Sequence, residues 1–474
     1  MPLLLAMTLI GAGEVDWGAK LRRDADRFRE VVLDSHPGPV DPRNPEFRAT
    51  LAGAHARALR RARNTRSHPA YAWALRELTA AFDDGHLGIE PGPRPAQDPP
   101  PDLRWPGFAT TYEAGRHRVV MSDEPGAPAG AALVACDGKS ADAIAAARVG
   151  RFTGRWGLKA TRAAHGVYLF LPPDNPWLRQ IARCTFEVDG SRRTIPLKWR
   201  PVDQGRREAA IDAAWTRYRA PIALERVADG SFWIGMGSFD GDPGSEAGGA
   251  LTALNAEIAA RAGEIRRAPR VVFDLRGNSG GSSSWADRAL DAIWGAGAVA
   301  AGSRTSKGVD WRVSDANIAQ IKAYRALFAP QRATDPFPYE FVTRVAVGME
   351  QARARGAPLW SEPPETDPEP ENGSVHAVSA RAFVLTDSGC ASACLDAVDV
   401  LIAMGATHVG RETSADTFYM EVREETTADG ARIRLPMKVY RGRPRGSNAP
   451  ATPKHEWTGA MGDTAGIRRW ITSL

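Results

Sequence analysis

The chain is expected to adopt a multidomain α/β fold, on three observations. From Ser231 onward, short apolar runs of strand length alternate with helical stretches. The N-terminal region carries helical periodicity alone. Between the two lie short alternating segments separated by Asp-Gly turns. At 474 residues the chain also exceeds the roughly 250 to 300 residues at which one hydrophobic core stops growing, so two or three domains are expected.

The N-terminal region spans residues 14–95. Leu21, Phe28, Val31 and Val32 recur at helical spacing until His36-Pro37-Gly38 breaks the run, and further helical stretches cover 47–63 and 71–82. They lead into Asp83-Asp84-Gly85-His86-Leu87-Gly88-Ile89, where glycines flank a histidine at a helix-to-strand transition, a place that exposes a side chain. Residues 91–106 are rich in proline and read as a linker. A small β-rich domain follows over 107–205, with strands near 118–121 and 132–136 and turns at Asp137-Gly138 and Asp189-Gly190. The core, 225–474, alternates: strand 232–236, helix 250–261, strand 271–275, a helix from about Ser284, strand 382–386 and helix 393–404. A Pro- and Glu-rich insertion at 358–373 interrupts it.

Composition narrows the function. Hydrophobic residues at 43% and charged residues at 25% are ordinary for a globular protein, and no apolar run approaches the roughly 20 residues of a membrane helix, so no stable membrane insertion is expected. The net charge of +5 comes from 61 basic residues offset by 56 acidic ones spread along the chain. Arg-rich stretches such as 57–63 read as solvated helix faces, so nucleic acid is not implied. Residues 1–13 have the apolar region and small-residue end of a secretory signal without its positively charged start. The alternatives are a possible signal segment, which implies an extracytoplasmic (periplasmic or secreted) location, and a merely apolar terminus. Cysteines 136, 184, 390 and 394 contain no Cys-x-x-Cys pair and no histidine at ligand spacing, so no metal is expected. Cys136 and Cys184 could pair in an oxidising compartment, but lone cysteines in separate apolar segments are more often buried thiols.

Two segments carry chemistry. Val271-Val272-Phe273-Asp274-Leu275-Arg276-Gly277-Asn278-Ser279-Gly280-Gly281 is a buried strand ending in a glycine-rich turn that lets backbone N–H groups approach a ligand; no Gly-Lys-Ser or Gly-Lys-Thr follows, which excludes a Walker phosphate loop. The second runs from strand 383–386 through Asp387-Ser388-Gly389-Cys390 into Ala391-Ser392-Ala393-Cys394 and a helix. Ser392 would stand at that helix's N-terminus, where free N–H groups favour developing negative charge, although an ordinary N-cap serine would look the same.

Taken together, Asp-Leu-Arg-Gly-Asn-Ser-Gly-Gly at 274–281 and Cys-Ala-Ser-Ala-Cys at 390–394 resemble the C-terminal-processing (tail-specific) and tricorn-like serine peptidases. The likeness extends to His36-Pro37, Asp84-Gly85-His86 and Gly410-Arg411-Glu412-Thr413. It implies a crotonase-like (ClpP/crotonase-type) catalytic core and a serine endopeptidase acting on polypeptide substrates through an acyl-enzyme, without cofactor. Ser392 falls at the nucleophile, and the oxyanion N–H groups fall at Gly281 and Ala393. The processing branch has a general-base lysine 25 residues after the serine, a position that here is Thr417. The tricorn-like branch uses an N-terminal histidine instead, matched by His86; imidazole, with a free pKa of ~6.5, suits a general base. His408 and His455 lie nearer Ser392 in sequence and remain alternatives.

The tail segment that would supply a histidine-orienting carboxylate reads 443–450 with no acid, leaving Asp83, Asp84, Glu412 and Asp416 as replacements. Cys390 and Cys394 are expected to pack the helix beside Ser392. Residues 125–139 loosely resemble the core of a PDZ module, so the middle domain is expected to be degenerate PDZ-like. The rival reading is a catalytically inactive ligand-binding protein on the same fold, similar to the interphotoreceptor retinoid-binding modules. The sequence leaves substrate identity and oligomeric state open.

Overall fold

The computed structural model describes residues 15–474 except 97, 114, 215–217, 242–244, 303–307, 334–335 and 364–373. The expected leader at 1–13 and the larger part of the 358–373 insertion lie outside the described residues. In the part of that insertion that is described, Leu359–Ser361 forms a strand against Gly308–Arg312.

Helix Trp17–Ser35 starts at Asp16, whose carboxylate accepts the Ala19 N–H, and it stops two residues before Pro37, with His36 as its C-cap. Helices Phe47–Ala62 and His68–Ala80 follow, the latter capped by the Ser67 hydroxyl. Their apolar faces (Leu21, Phe28, Leu51, Leu75) share one core with Tyr419, Ile433, Leu435 and Val439 from the end of the chain. Strand Gly88–Glu90 joins the same unit by pairing with Arg432–Arg441, Ile89 opposite Ile433. The helical N-terminal region therefore has its apolar face covered by C-terminal strands.

The β-rich middle is an antiparallel sheet of strands Phe108–Glu113, Arg116–Ser122, Ala132–Cys136, Arg183–Val188 and Ser191–Pro196, packed around Phe108, Phe170 and Phe186. Both Asp-Gly turns carry positive φ at each central residue, Asp137 45° with Gly138 78° and Asp189 49° with Gly190 74°, as a two-residue type I′ hairpin requires. Cys136 and Cys184 sit directly opposite each other on paired strands and form a disulfide, which corrects the expectation of buried thiols. Two strands adjacent in space but 48 residues apart in sequence bring the sulfurs together, and no local pattern announces that pairing.

The core sheet runs in the order Ala223–Arg226, Phe232–Gly235, Arg270–Asp274, Arg381–Thr386, Thr407–Gly410, His455–Glu456, antiparallel at the first pair and parallel thereafter. Its two faces alternate along each strand. Val271, Phe273 and Val384 pack against helices Glu246–Arg267, Ser284–Trp294 and Ala393–Ala403, while Val272, Phe383 and Leu385 meet Ile467 and Ile471 of the terminal helix Thr464–Ser473. Because Arg270–Asp274 and Arg381–Thr386 are parallel neighbours, the loops that leave their C-terminal ends emerge side by side. A second, antiparallel sheet holds Gly308–Arg312, Tyr419–Thr426 and Arg432–Arg441 under helices Asp315–Phe328 and Pro336–Ala354.

The disulfide in the middle sheet closes a long loop. The double variant Cys136→Ala/Cys184→Ala should therefore lose roughly 2 to 4 kcal/mol of unfolding free energy in urea titration. A midpoint equal to that of the wild type in oxidising buffer would show that the sheet does not depend on this bond.

Candidate active site

The site is built at the adjacent ends of the two central parallel strands. Asp274 closes the first strand and is fully buried; Arg276, also fully buried, returns its guanidinium to it, Nε to Oδ1 at 2.8 Å. Arg276 further donates to the Met461 carbonyl and to Thr464 Oγ1 and lies over the Tyr218 ring. Asn278, again fully buried, donates from Nδ2 to the Met236 carbonyl at 2.7 Å and accepts the Gly280 N–H at 2.8 Å. The turn from 277 to 281 is thus fixed by its own side chains.

The parallel bridge between Phe239 and Gly281 takes the Gly280 carbonyl and the Ser282 N–H, which leaves the Gly281 N–H on the opposite edge. Gly280, at φ 101°, crosses so close to the second loop that a Cβ there would lie 2.6 Å from the Ser392 Cβ and 3.1 Å from the Ala393 nitrogen.

The second loop is tied to the first by Asp387, whose carboxylate accepts the N–H of Gly277 at 3.1 Å and that of Gly389 at 2.9 Å. Burial raises the Asp387 pKa above the ordinary carboxylate value, while the Gly277 and Gly389 N–H groups act against that rise. Ser392 follows at φ 56° and ψ −129°, a conformation that costs a non-glycine residue on the order of 1 to 3 kcal/mol. Its side chain makes no capping hydrogen bond. The N–H of Ser392 donates to Asp416 Oδ2 at 2.7 Å. Ala393 opens the helix, where backbone N–H groups lack intrahelical acceptors. Cys390 and Cys394, both fully buried, form a disulfide that brackets Ser392. They were expected only to pack the helix; the loop-to-helix turn brings them face to face.

His86 lies in the loop between helix His68–Ala80 and strand Gly88–Glu90. Its N–H donates to Asp84 Oδ1 at 2.8 Å, its Nδ1 stands 3.7 Å from the same oxygen, and that buried Nδ1 has no hydrogen-bond partner. Burial raises the Asp84 pKa, opposed by His86, by the His86 N–H, by the Thr417 hydroxyl and by Arg155. Thr417, the residue at the lysine position of the processing branch, therefore stands beside Asp84.

No direct hydrogen bond joins His86 to Ser392 among the described residues; their loops are joined through intermediaries. Asn448 donates from Nδ2 to the Asp83 carbonyl at 2.7 Å and from its backbone to the Asp416 carbonyl at 2.8 Å, and Arg155 reaches the Ala415 carbonyl at 2.9 Å.

Ser392, Ala393 and the Gly280-Gly281 turn are thus in contact, and the His86 loop is linked to the loop that holds the Ser392 N–H. Of the four carboxylates considered as orienters, Asp83 accepts the Arg155 N–H, Glu412 pairs with Lys159 at 3.4 Å and Asp416 is bound to Ser392. Asp84 alone of the four stands within ion-pair reach of the His86 ring. His408 is bonded through Nε2 to Thr386 Oγ1 at 2.8 Å inside the core sheet, and burial holds its pKa down at about 4. His455 belongs to the edge strand beside Val409. The sequence reading missed the contacts of Asp387 and Asn448 and left Asp416 among four unranked carboxylates, since each acts across a contact between distant loops.

No protein-family model matches the sequence, and no curated protein matches it. Solved structures do. Mature CPAF aligns over 93% of this chain and 93% of its own at 13% identity with a TM-score of 0.56. Mature CPAF complexed with lactacystin aligns over 93% and 94% at 13% identity, TM-score 0.54. A serine-to-alanine mutant of CPAF gives 93% and 93% at 13% identity, TM-score 0.56. At this identity the likeness establishes a shared fold along nearly the whole chain.

Gly280→Ala should destabilise the protein by at least about 2 kcal/mol and disable the site, because the added methyl meets Ser392 and must adopt a positive φ. Near-wild-type stability with an unchanged circular dichroism spectrum would mean that the loops are not in contact. For Asp84, the raised pKa means that the folded state keeps a proton that the unfolded chain has already lost, so stability falls as pH rises above the unfolded carboxylate value. Asp84→Asn removes that dependence and should gain on the wild type as pH rises above about 4 in urea titrations. A gap that narrows instead with rising pH would reverse the assignment.

Proposed function

We propose that this protein is a serine endopeptidase of the C-terminal-processing type, hydrolysing polypeptides by acyl-enzyme chemistry with a histidine base, as in the tricorn-like branch. The observation that carries the reading is Ser392: a serine held at positive φ on the turn into a helix, its hydroxyl not spent on capping, packed against a glycine turn. An ordinary N-cap serine adopts extended backbone and accepts a helix N–H at its side-chain oxygen; this one does neither.

His86 accepts the Ser392 hydroxyl proton as the oxygen attacks a peptide carbonyl. Asp84 orients the imidazole through Nδ1, a movement of less than 1 Å from the 3.7 Å separation being enough to form that bond. The N–H groups of Gly281 and Ala393 hold the oxyanion, and each such donor contributes roughly 3 kcal/mol to lowering the barrier. The protonated His86 then gives its proton to the leaving amine, and water, activated by the same imidazole, hydrolyses the acyl-enzyme. The core is read as crotonase-like and the antiparallel middle sheet as a degenerate PDZ-like module that contacts substrate away from the scissile bond. The fold shared with mature CPAF supports this reading.

A fluorophosphonate probe should label the wild type and leave Ser392→Ala unlabelled, because only an activated hydroxyl outcompetes water for it. His86→Ala should retain the fold and lower kcat by roughly 10⁴-fold or more on an unstructured protein substrate. Equal labelling of wild type and Ser392→Ala would remove the serine from its role. Absence of labelling and of cleavage in the wild type would leave the ligand-binding reading in its place.

A further inference from the structure

Between helix His68–Ala80 and the β-rich module lies a cavity of about 350 Å³, a size suited to a small molecule. Its walls include Arg76, Arg148 and Arg207, together with His165, Asn175 and Trp73. Among the described residues no aspartate or glutamate lines it. Glu77, on the same helix as Arg76, is taken up by Arg61 at 2.8 Å and by Arg151, so it does not neutralise the cavity.

Arg148 gives Nη1 to the Arg179 carbonyl, and its Nε is buried without an acceptor. Asn175 uses its Oδ1 to accept the Trp177 N–H at 3.0 Å, and its Nδ2 is likewise buried without an acceptor. Two buried donors on residues that line the cavity thus lack acceptors. Burial and the nearby Arg155 and Arg76 hold the His165 pKa down at about 4, so three guanidinium charges face the cavity beside a neutral imidazole.

We infer that this cavity binds a small oxyanion of at least two negative charges, a phosphate ester or a di- or tricarboxylate, held by Arg148 and Arg207 with Arg76 at the rim. Planar guanidinium forks match such oxygens in pairs, and the buried donors left without acceptors are the ones an anion would satisfy after a small side-chain rotation. The inference does not depend on the role of Ser392, because none of the lining residues belongs to that site.

Isothermal titration of the full chain near pH 7 and at fixed ionic strength, with inorganic pyrophosphate and separately with citrate, tests it. One saturable site is expected, weakened roughly 10-fold or more by Arg148→Gln and by Arg207→Gln, as for loss of a charge-assisted hydrogen bond. Arg193→Gln, on an exposed hairpin strand away from the cavity, should bind as the wild type does. Tighter pyrophosphate would assign the phosphoryl chemistry, and tighter citrate the carboxylate. In a proton NMR titration the bound anion should raise the His165 pKa by countering the arginine charges. Should Arg148→Gln fail to fold, Arg207→Gln on its half-exposed helix decides alone. No saturable binding of either probe, or the same affinity change in Arg193→Gln as in the cavity variants, overturns the assignment.

Discussion

The buried Asp274–Arg276 pair is the interaction on which the rest of the site depends. Withdrawing a guanidinium from water costs several kcal/mol unless its donors are met. Here Asp274 takes Nε, Met461 and Thr464 take the outer nitrogens, and the Tyr218 ring covers one face. The pair therefore does more than close a strand. It binds the terminal helix Thr464–Ser473 and the Tyr218 segment to the start of the glycine turn, so three distant parts of the chain must be in register before the arginine can be buried. Losing one partner would leave the other charge uncompensated in the interior.

From that anchor the constraint passes outward through short polar contacts. Asn278 sets the turn against Met236, and Asp387 ties the turn to the second loop. Asp416 then holds the Ser392 N–H. Each carboxylate or amide spans two loops, so the positive φ at Ser392 is sustained by its surroundings, and the Cys390–Cys394 bond closes the loop across it. Strain of this kind persists only where neighbouring structure over-determines it.

The N-terminal helices depend on a different kind of contact. Their apolar faces complete the core of the C-terminal strands Tyr419–Thr426 and Arg432–Arg441, and strand Gly88–Glu90 fixes the end of the His86 loop against the latter. The loop that carries His86 is thus joined to the loop that holds the Ser392 N–H through Asn448 and Arg155, once the chain's beginning and end share a core.

By itself the sequence determined the local features. Helix and strand periodicity located most of the elements near the site within a few residues, among them helices Phe47–Ala62 and Ser284–Trp294 and strand Arg381–Thr386. The Asp-Gly pairs announced their hairpins, and the Asp-Leu-Arg-Gly-Asn and Ala-Ser-Ala segments marked the two loops that the structure brings together. These are short-range properties, set by side-chain period and by backbone sterics within a few residues. Tertiary structure alone decided the pairing of Cys136 with Cys184, the covering of the N-terminal helices by C-terminal strands, and the division of labour among Asp84, Asp387 and Asp416. An aspartate in a loop has the same local signature whether it accepts a neighbouring N–H or one a hundred residues away. Its role follows from desolvation and from which donors the folded chain carries to it, and neither is a property of the residues beside it in sequence.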